Sequence, residues 1–318
     1  MVCFPGYNFP SLASIKPYLE RVGAGRTGQW ARETARRLNC KVCVGYPEIE
    51  TTEGKEGEGE EEEKYYNSLL TVDENGEILF NYRKSFLYYT DESWASEGDP
   101  DRGSCTLTFG GNDQSPPKRD VPTSFGVCMD INPYRFEAPF TAWEFANRVL
   151  DSGSQLVIVS MAWLTLLRRE EIVPENPDMD TFDYWIRRFW PLLEKKMKHD
   201  SVGDDVDDGG DTMQTKRVVI VFSNRVGEEA GGAEPVPIAR YAGSSAIVAF
   251  TQSRLPEHRA SDPAEVGQAP SFDPKILCWC LCGAAEEGVC FADTTTPPEL
   301  VWDTNEAVKD TENISEFF

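Results

Sequence analysis

Hydrophobic and polar residues change period repeatedly along this chain, and each change marks an element. Residues 27–39 (TGQWARETARRLN) repeat Trp30, Ala31, Thr34, Ala35 and Leu38 at helical spacing, and residues 11–21 read as a helix before them. Residues 41–45 are a short apolar strand ending in Tyr46-Pro47-Glu48. Strands at 65–72 and 77–82 flank the turn Asp73-Glu74-Asn75-Gly76, and Asn-Gly between two such runs signals a hairpin. Residues 83–100 read as a loop, 105–109 and 123–127 as strands, and 140–150 as a helix. Residues 155–163 (QLVIVSMAW) are almost continuously apolar, as in a strand covered on both faces. An amphipathic helix over 182–197, kinked at Pro191, follows. Strands are expected at 217–222, as a pair within 240–250, and at 275–282. Strand–helix alternation mixed with hairpins predicts an α/β sandwich with helices outside, in one domain.

Composition narrows the picture. The chain has 318 residues, 40% of them hydrophobic, with 8 Trp and 17 Phe, enough for a full-sized core. Its formal charge of −23 argues against nucleic acid, whose binders need clustered Lys and Arg. Much of the acid is local. Residues 48–64 (EIETTEGKEGEGEEEEK) and 201–211 read as solvated insertions, placed at 50–64 and 200–212, and residues 301–318 as an acidic tail that frays. No apolar run approaches the roughly 20 residues of a membrane span, and no secretory signal is visible.

Nine cysteines and two histidines, His199 and His258, raise the question of metal. Cys40 and Cys43, and then Cys278, Cys280 and Cys282, have metal-like spacings. The first pair opens an apolar run and the second set alternates as a strand does, so reduced thiols in a reducing compartment are the expectation, with no metal.

Candidate chemistry begins at residues 123–140 (TSFGVCMDINPYRFEAPF). A buried strand delivers Cys128 to a sharp polar break, which presents the thiol and leaves backbone N–H groups such as that of Met129 free for a bound oxygen. Lys84 leaves the hairpin in Tyr82-Arg83-Lys84 and enters a loop of aromatics and acids that contains Asp91 and Glu92. An ammonium beside the thiol would lower its pKa and stabilise an oxyanion. Each of these residues has a plainer reading: a core thiol, a solvated lysine, surface carboxylates.

Tyr-Arg-Lys, an aromatic loop, Asp-Glu, and then Phe125-Gly126-Val127-Cys128-Met129-Asp130 resemble the nitrilase (carbon–nitrogen hydrolase) superfamily. Val159 to Trp163, Ser223-Asn224-Arg225-Val226-Gly227-Glu228, and Tyr241-Ala242-Gly243-Ser244-Ser245-Ala246-Ile247 extend the likeness in order. Pro5-Gly6-Tyr7-Asn8-Phe9, Gly45-Tyr46-Pro47-Glu48 and the stretch from Cys128 to Phe136 are most similar to its fungal branch that deamidates N-terminal asparagine.

The resemblance implies a four-layer α-β-β-α sandwich over residues 1–300 and a Glu-Lys-Cys catalytic set. By position Lys84 is the lysine, Cys128 the nucleophile and Glu92 a second glutamate. It further implies deamidation of N-terminal Asn, and of Gln, through a cysteine thioester, feeding the N-degron pathway. No cofactor is required. The expected partners are protein or peptide N-termini, with neither nucleic acid nor membrane, in a homodimer that is cytoplasmic with mitochondrial or nuclear pools. Asp130 is the candidate anion for the substrate α-ammonium, or else a turn-stabilising Asp. Trp163 walls the pocket or belongs to the core. The family's first glutamate precedes the Gly-Tyr-Asn-Phe motif, and none of Met1 to Pro5 is acidic, so the first strand and general base are expected to be missing and activity impaired. Glu48 is a tempting substitute base, but it matches a different strand end in the resemblance. A dead relative that binds N-terminal residues, or a hydrolase of small amides, are the alternatives.

Overall fold

The computed structural model describes residues 1–6, 11–52, 62–110, 117–199, 204–206, 212–229, 238–254 and 272–303. Tyr7, Asn8, Phe9 and His258, most of both acidic insertions and the end of the tail lie outside these.

Period-two burial builds two sheets face to face. The smaller has the order β1 (Val2–Cys3), β2 (Val42–Thr52), β3 (Glu62–Val72), β4 (Ile78–Arg83). Val42, Val44 and Tyr46 of β2, with Leu70 and Val72 of β3, face outward onto Ala31 and Ala35 of α2 (Arg26–Leu38). Cys43 and Leu69, one residue out of phase, face inward with Tyr82. There they meet Leu107 of β5 (Ser104–Phe109), Phe125 and Val127 of β6 (Arg119–Val127) and Ile158 of β7 (Leu156–Met161).

The larger sheet continues through β9 (Thr212–Asn224), β12 (Ala246–Arg254), β13 (Phe272–Leu281) and β14 (Leu300–Asp303). A short β8 (Asp204–Val206) pairs with β9, and β10 (Glu228–Glu229) with β11 (Ala239–Arg240) stands apart. β6, β7 and β9 run parallel at its centre, and the flanking pairs are antiparallel. β7 is buried on both sides: Ile158 faces the smaller sheet, while Val157, Val159 and Met161 face α3 (Glu144–Asp151), α4 (Met179–Arg188) and α5 (Pro191–Glu194). The layers are therefore helix, sheet, sheet, helices, the four-layer sandwich expected.

Proline edits the predicted helices. The helix expected over 11–21 is a single turn, Leu12–Ile15 (α1), followed by a 3-10 turn over Lys16–Tyr18 that contains Pro17. The helix expected over 182–197 starts earlier, at Met179, and is divided, because Pro191 begins a new turn rather than bending an old one. The stripe on α2 also differs: Gly28, Ala31, Thr34 and Ala35 are buried, whereas Trp30 is exposed and meets Phe4 edge-on at 4.8 Å.

Trp185 of α4 is fully buried, stacks on Phe222 at 5.3 Å and meets Trp163 edge-on at 5.9 Å. Trp185→Ala is expected to lower stability by about 3–5 kcal/mol, read from urea unfolding, because the cavity it leaves has rigid aromatic walls.

Candidate active site

Chain ends of several strands converge on one cleft. β6 ends at Val127, and Cys128 takes φ +45°, a left-handed conformation that a non-glycine residue holds only under constraint. Arg135, Phe136 and Trp143 also have positive φ, so the chain just after the thiol is tightly coiled. Arg188 supports that coil from below. Its fully buried guanidinium donates to Ile131 O at 2.6 Å and to Phe140 O, and pairs with Glu144 at 3.3 Å.

Lys84 follows β4 in the opposite sheet. Its backbone N–H donates to Asn67 O at 2.8 Å, and its carbonyl accepts from Gly98 N at 2.8 Å. Gly98 is needed for that return of the loop, since a Cβ there would lie 2.2 Å from Arg83 O. The Lys84 ammonium, almost wholly buried, donates to Asp91 Oδ2 at 2.5 Å. Asp91 also accepts from Asn67 Nδ2 at 3.2 Å and Tyr88 N at 3.1 Å.

Burial presses the Lys84 ammonium downward, but Asp91, the Cys128 thiol and Asp130 oppose it and hold it above its ordinary value, so it is a cation. For Cys128 the balance runs the other way. Burial pushes the thiol up, and the opposing pull of Lys84 and of the Ala162 backbone N–H does not cancel it. The sequence-based expectation of a thiol lowered by lysine is thus right in the sign of the lysine effect and wrong in the net shift, because the desolvation of a buried thiolate outweighs it.

Lys84, Asp91, Cys128, Met129 and Trp163 all line a cleft of about 1020 Å³. Tyr88, Asn132, Tyr184 and the loop from Leu164 to Leu167 complete its walls, and Asp178, Asp180, Asp183 and Arg187 of the α4 region stand at one side. Trp163 is held by its backbone: its N–H donates to Asn224 Oδ1 at 2.8 Å, and Asn224 Nδ2 donates to Gly243 O at 2.9 Å. The Asn-Arg segment after β9 is therefore scaffolding for this wall, with Arg225 over the Tyr241 ring at 4.5 Å and paired with Glu229.

Two expected roles need correction, and the substitute base set aside above has its own explanation. Asp130 is fully buried and does not line the cleft. Its carboxylate accepts from Val127 N at 2.7 Å, Phe86 N at 2.8 Å, Ser85 N at 3.0 Å and Tyr82 Oη at 2.9 Å, which leaves it no capacity for a ligand. Burial raises its carboxyl pKa against the pull of Lys84 and those N–H groups. Glu92 is exposed and off the cleft, because the 3-10 turn Asp91–Ser93 turns Asp91 inward and its neighbour out. Glu48 is also fully buried away from the cleft. It accepts from Ser68 Oγ at 2.7 Å, Asn81 Nδ2 at 2.8 Å and Arg83 Nη2 at 2.5 Å, a structural ion pair.

Asp91 and the carboxylates of α4 are the functional candidates that sequence reasoning missed. Asp178 carried a signal, an Asp capping Thr181 three residues on, but nothing local tied that helix end to Cys128.

Comparison with known proteins agrees with this geometry. The family model described as carbon–nitrogen hydrolase matches residues 1–129. A protein N-terminal amidase of Schizosaccharomyces pombe is 29% identical over 285 residues, covering 84% of this chain and 82% of the relative. One of Saccharomyces cerevisiae is 34% identical over 169 residues, covering 50% of this chain and 34% of the relative. A crystal structure of an N-terminal amidase superposes with TM-score 0.57 at 25% identity, covering 78% of this chain and 80% of that one. Another, solved with a Gln-Val peptide, has TM-score 0.61 at 21% identity, covering 89% of this chain and 86% of that one, a likeness of fold. The carbon–nitrogen hydrolase likeness thus rests on the first 129 residues, and the likeness to an N-terminal amidase extends over most of the chain.

Two measurements check the electrostatics. Alkylation of Cys128 by iodoacetamide, followed by mass spectrometry, should accelerate as pH rises through a thiol pKa above the ordinary value, and Lys84→Met should move that midpoint higher still. Asp130→Ala should cost about 3–5 kcal/mol in urea unfolding, because it strands three backbone N–H groups and a tyrosine hydroxyl in the interior.

Proposed function

We propose that this chain hydrolyses the side-chain amide of N-terminal Asn, and of Gln, on proteins or peptides; its relatives are named protein N-terminal amidases, and amidases of similar fold have been solved with Asn- and Gln-initiated peptides. The observation that carries the reading is the meeting of Cys128, presented at positive φ at a strand end, with the buried Lys84–Asp91 pair in one cleft.

In the first half-reaction the Cys128 sulfur attacks the amide carbon and its proton passes to Asp91. The oxyanion is held by the Lys84 ammonium and the Met129 backbone N–H, donors that typically contribute about 3 kcal/mol each. Collapse of the adduct expels ammonia, which leaves with the proton returned by Asp91, and a thioester remains. Asp91 then takes a proton from water as the water attacks the thioester, and the acid product and free thiol are released. Asp91 is assigned as base because, of the two carboxylates that act on Cys128, Asp130 is already saturated by four donors. No metal or organic cofactor enters this scheme.

Selection for a free N-terminus falls to Asp180 and Asp183 rather than to Asp130, since Asp178 is buried and taken up by Thr165 and Thr181. Both line the same cleft and offer negative charge to an α-ammonium. Burial raises the Asp183 carboxyl, against the pull of Arg187 at 2.7 Å. Trp163 and Tyr184, 5.6 Å apart, form an aromatic wall for the substrate backbone. Nine free thiols support a reducing setting; cytoplasmic residence, with mitochondrial or nuclear pools, and a role in the N-degron pathway are part of the same proposal. No helix among the described residues is long and apolar enough to cross a membrane. A homodimer is part of the same reading.

The test is ammonia release from an Asn-initiated peptide and from its N-acetylated form. The free peptide alone should turn over, Cys128→Ala should abolish the reaction, and Asp91→Asn should lower kcat about 10²–10⁴-fold. Absence of turnover with retained peptide binding would leave a binding module, and equal turnover of free asparagine amide analogues would point to a small-amide hydrolase.

A further inference from the structure

Cys280, Cys282 and Cys290 form a second cluster of sulfur. Cys280 lies on β13 and Cys282 just beyond it, on the same side of the strand, with their Sγ atoms 4.0 Å apart. Cys290 comes back from the irregular segment between β13 and β14, and the three Sγ atoms lie within 4.8 Å of one another. All three are free thiols and half-buried, unlike the sealed Cys43 and Cys278. The strand spacing exposed only two members of this set; the third is contributed by the returning loop, which no local pattern announces.

We propose that these three cysteines bind one thiophilic d10 cation, with zinc the reference ion, and that the ion fastens the loop behind the substrate cleft. Thiolates bound to one zinc at about 2.3 Å stand roughly 3.8 Å apart in tetrahedral geometry, so the cluster needs only side-chain rotation to close. Each Sγ–H gives up its proton as the S–metal bond forms, and those protons are released to solvent. The half-buried setting leaves the fourth position to water.

The loop is in turn clasped to the cleft wall. Ser244 N donates to Gly283 O at 3.1 Å, Cys282 N to Ser245 O at 2.9 Å and Ala284 N to Asn176 O at 2.8 Å. A Cβ on Gly283 would lie 2.0 Å from Pro174 O, so the contact is as close as backbone permits. Ser244 Oγ accepts from Asp178 N at 2.8 Å, one step from the cleft. The residues on either side of Cys290, Val289 and Phe291, are 89% and 77% exposed, and the next anchors are Arg217 Nη1 to Thr294 O at 3.2 Å and Trp279 Nε1 to Thr296 O at 2.8 Å.

The experiment uses the full chain, reduced and stripped with chelator, titrated with Co²⁺ and with Zn²⁺. One equivalent of Co²⁺ should produce a thiolate-to-metal charge-transfer band with four-coordinate d–d intensity, displaced by Zn²⁺, and Zn²⁺ should slow chymotryptic cleavage after Phe291. Cys290→Ser and Cys280→Ser should each abolish the band, with circular dichroism showing that the fold persists. Cys105→Ser and Cys128→Ser should keep it. No band, a band that survives Cys290→Ser, or one lost in Cys105→Ser or Cys128→Ser would overturn the assignment. So would a disulfide among the three forming in air from protein that binds no metal when reduced.

Discussion

One buried carboxylate joins the two sheets at the point where chemistry is placed. Asp130 collects Val127 N–H from the larger sheet, Tyr82 hydroxyl from the smaller, and Ser85 and Phe86 N–H from the loop between them. Lys84 lies inside that loop, between two of the anchored groups, and Cys128 lies between Val127 and Asp130 itself. Fixing four donors on one acceptor therefore fixes the ammonium against the thiol, although 44 residues separate them in the chain. Desolvating that carboxylate is costly, and only the full set of donors offsets it.

The same economy of buried charge recurs around the site. Glu48 with Arg83, and Arg188 with Glu144 and two carbonyls, are ion pairs with one partner fully buried and the other reaching the surface. They touch no part of the cleft's contents but determine where the cleft's walls end. The reactive pair is the less perfectly balanced one: the thiol is held up by burial and the ammonium is committed to Asp91. A group that must change protonation during turnover cannot be fully satisfied in one state.

Much of this was legible in the chain. Strand positions followed from alternation, and the doubly buried β7 from an unbroken apolar run, because sheet burial is a short-period signal. Cys128, Lys84, Met129 and Trp163 were each readable as groups at the ends of strands. The errors were of two kinds. Side-chain direction within a single turn decides between Asp91 and Glu92, and adjacent acids carry no mark of which one faces in. Saturation decides between a ligand and a strut, so Asp130 and Glu48 looked available until their donors were located. Pro17 and Pro191 ended helical turns where periodicity alone ran on. The α4 carboxylates and Cys290 were invisible for another reason: they reach their partners across the fold.

The positions of Lys84 and Cys128 on facing sheets have a kinetic corollary. β6 sits in a parallel core with β7 and β9, and β9 begins at residue 212, far downstream of both Lys84 and Cys128. Parallel pairings of such sequence separation close late, because the loop entropy comes due before the contacts reward it. The sheet that carries Cys128 is thus completed only by chain synthesised more than 80 residues after the thiol itself.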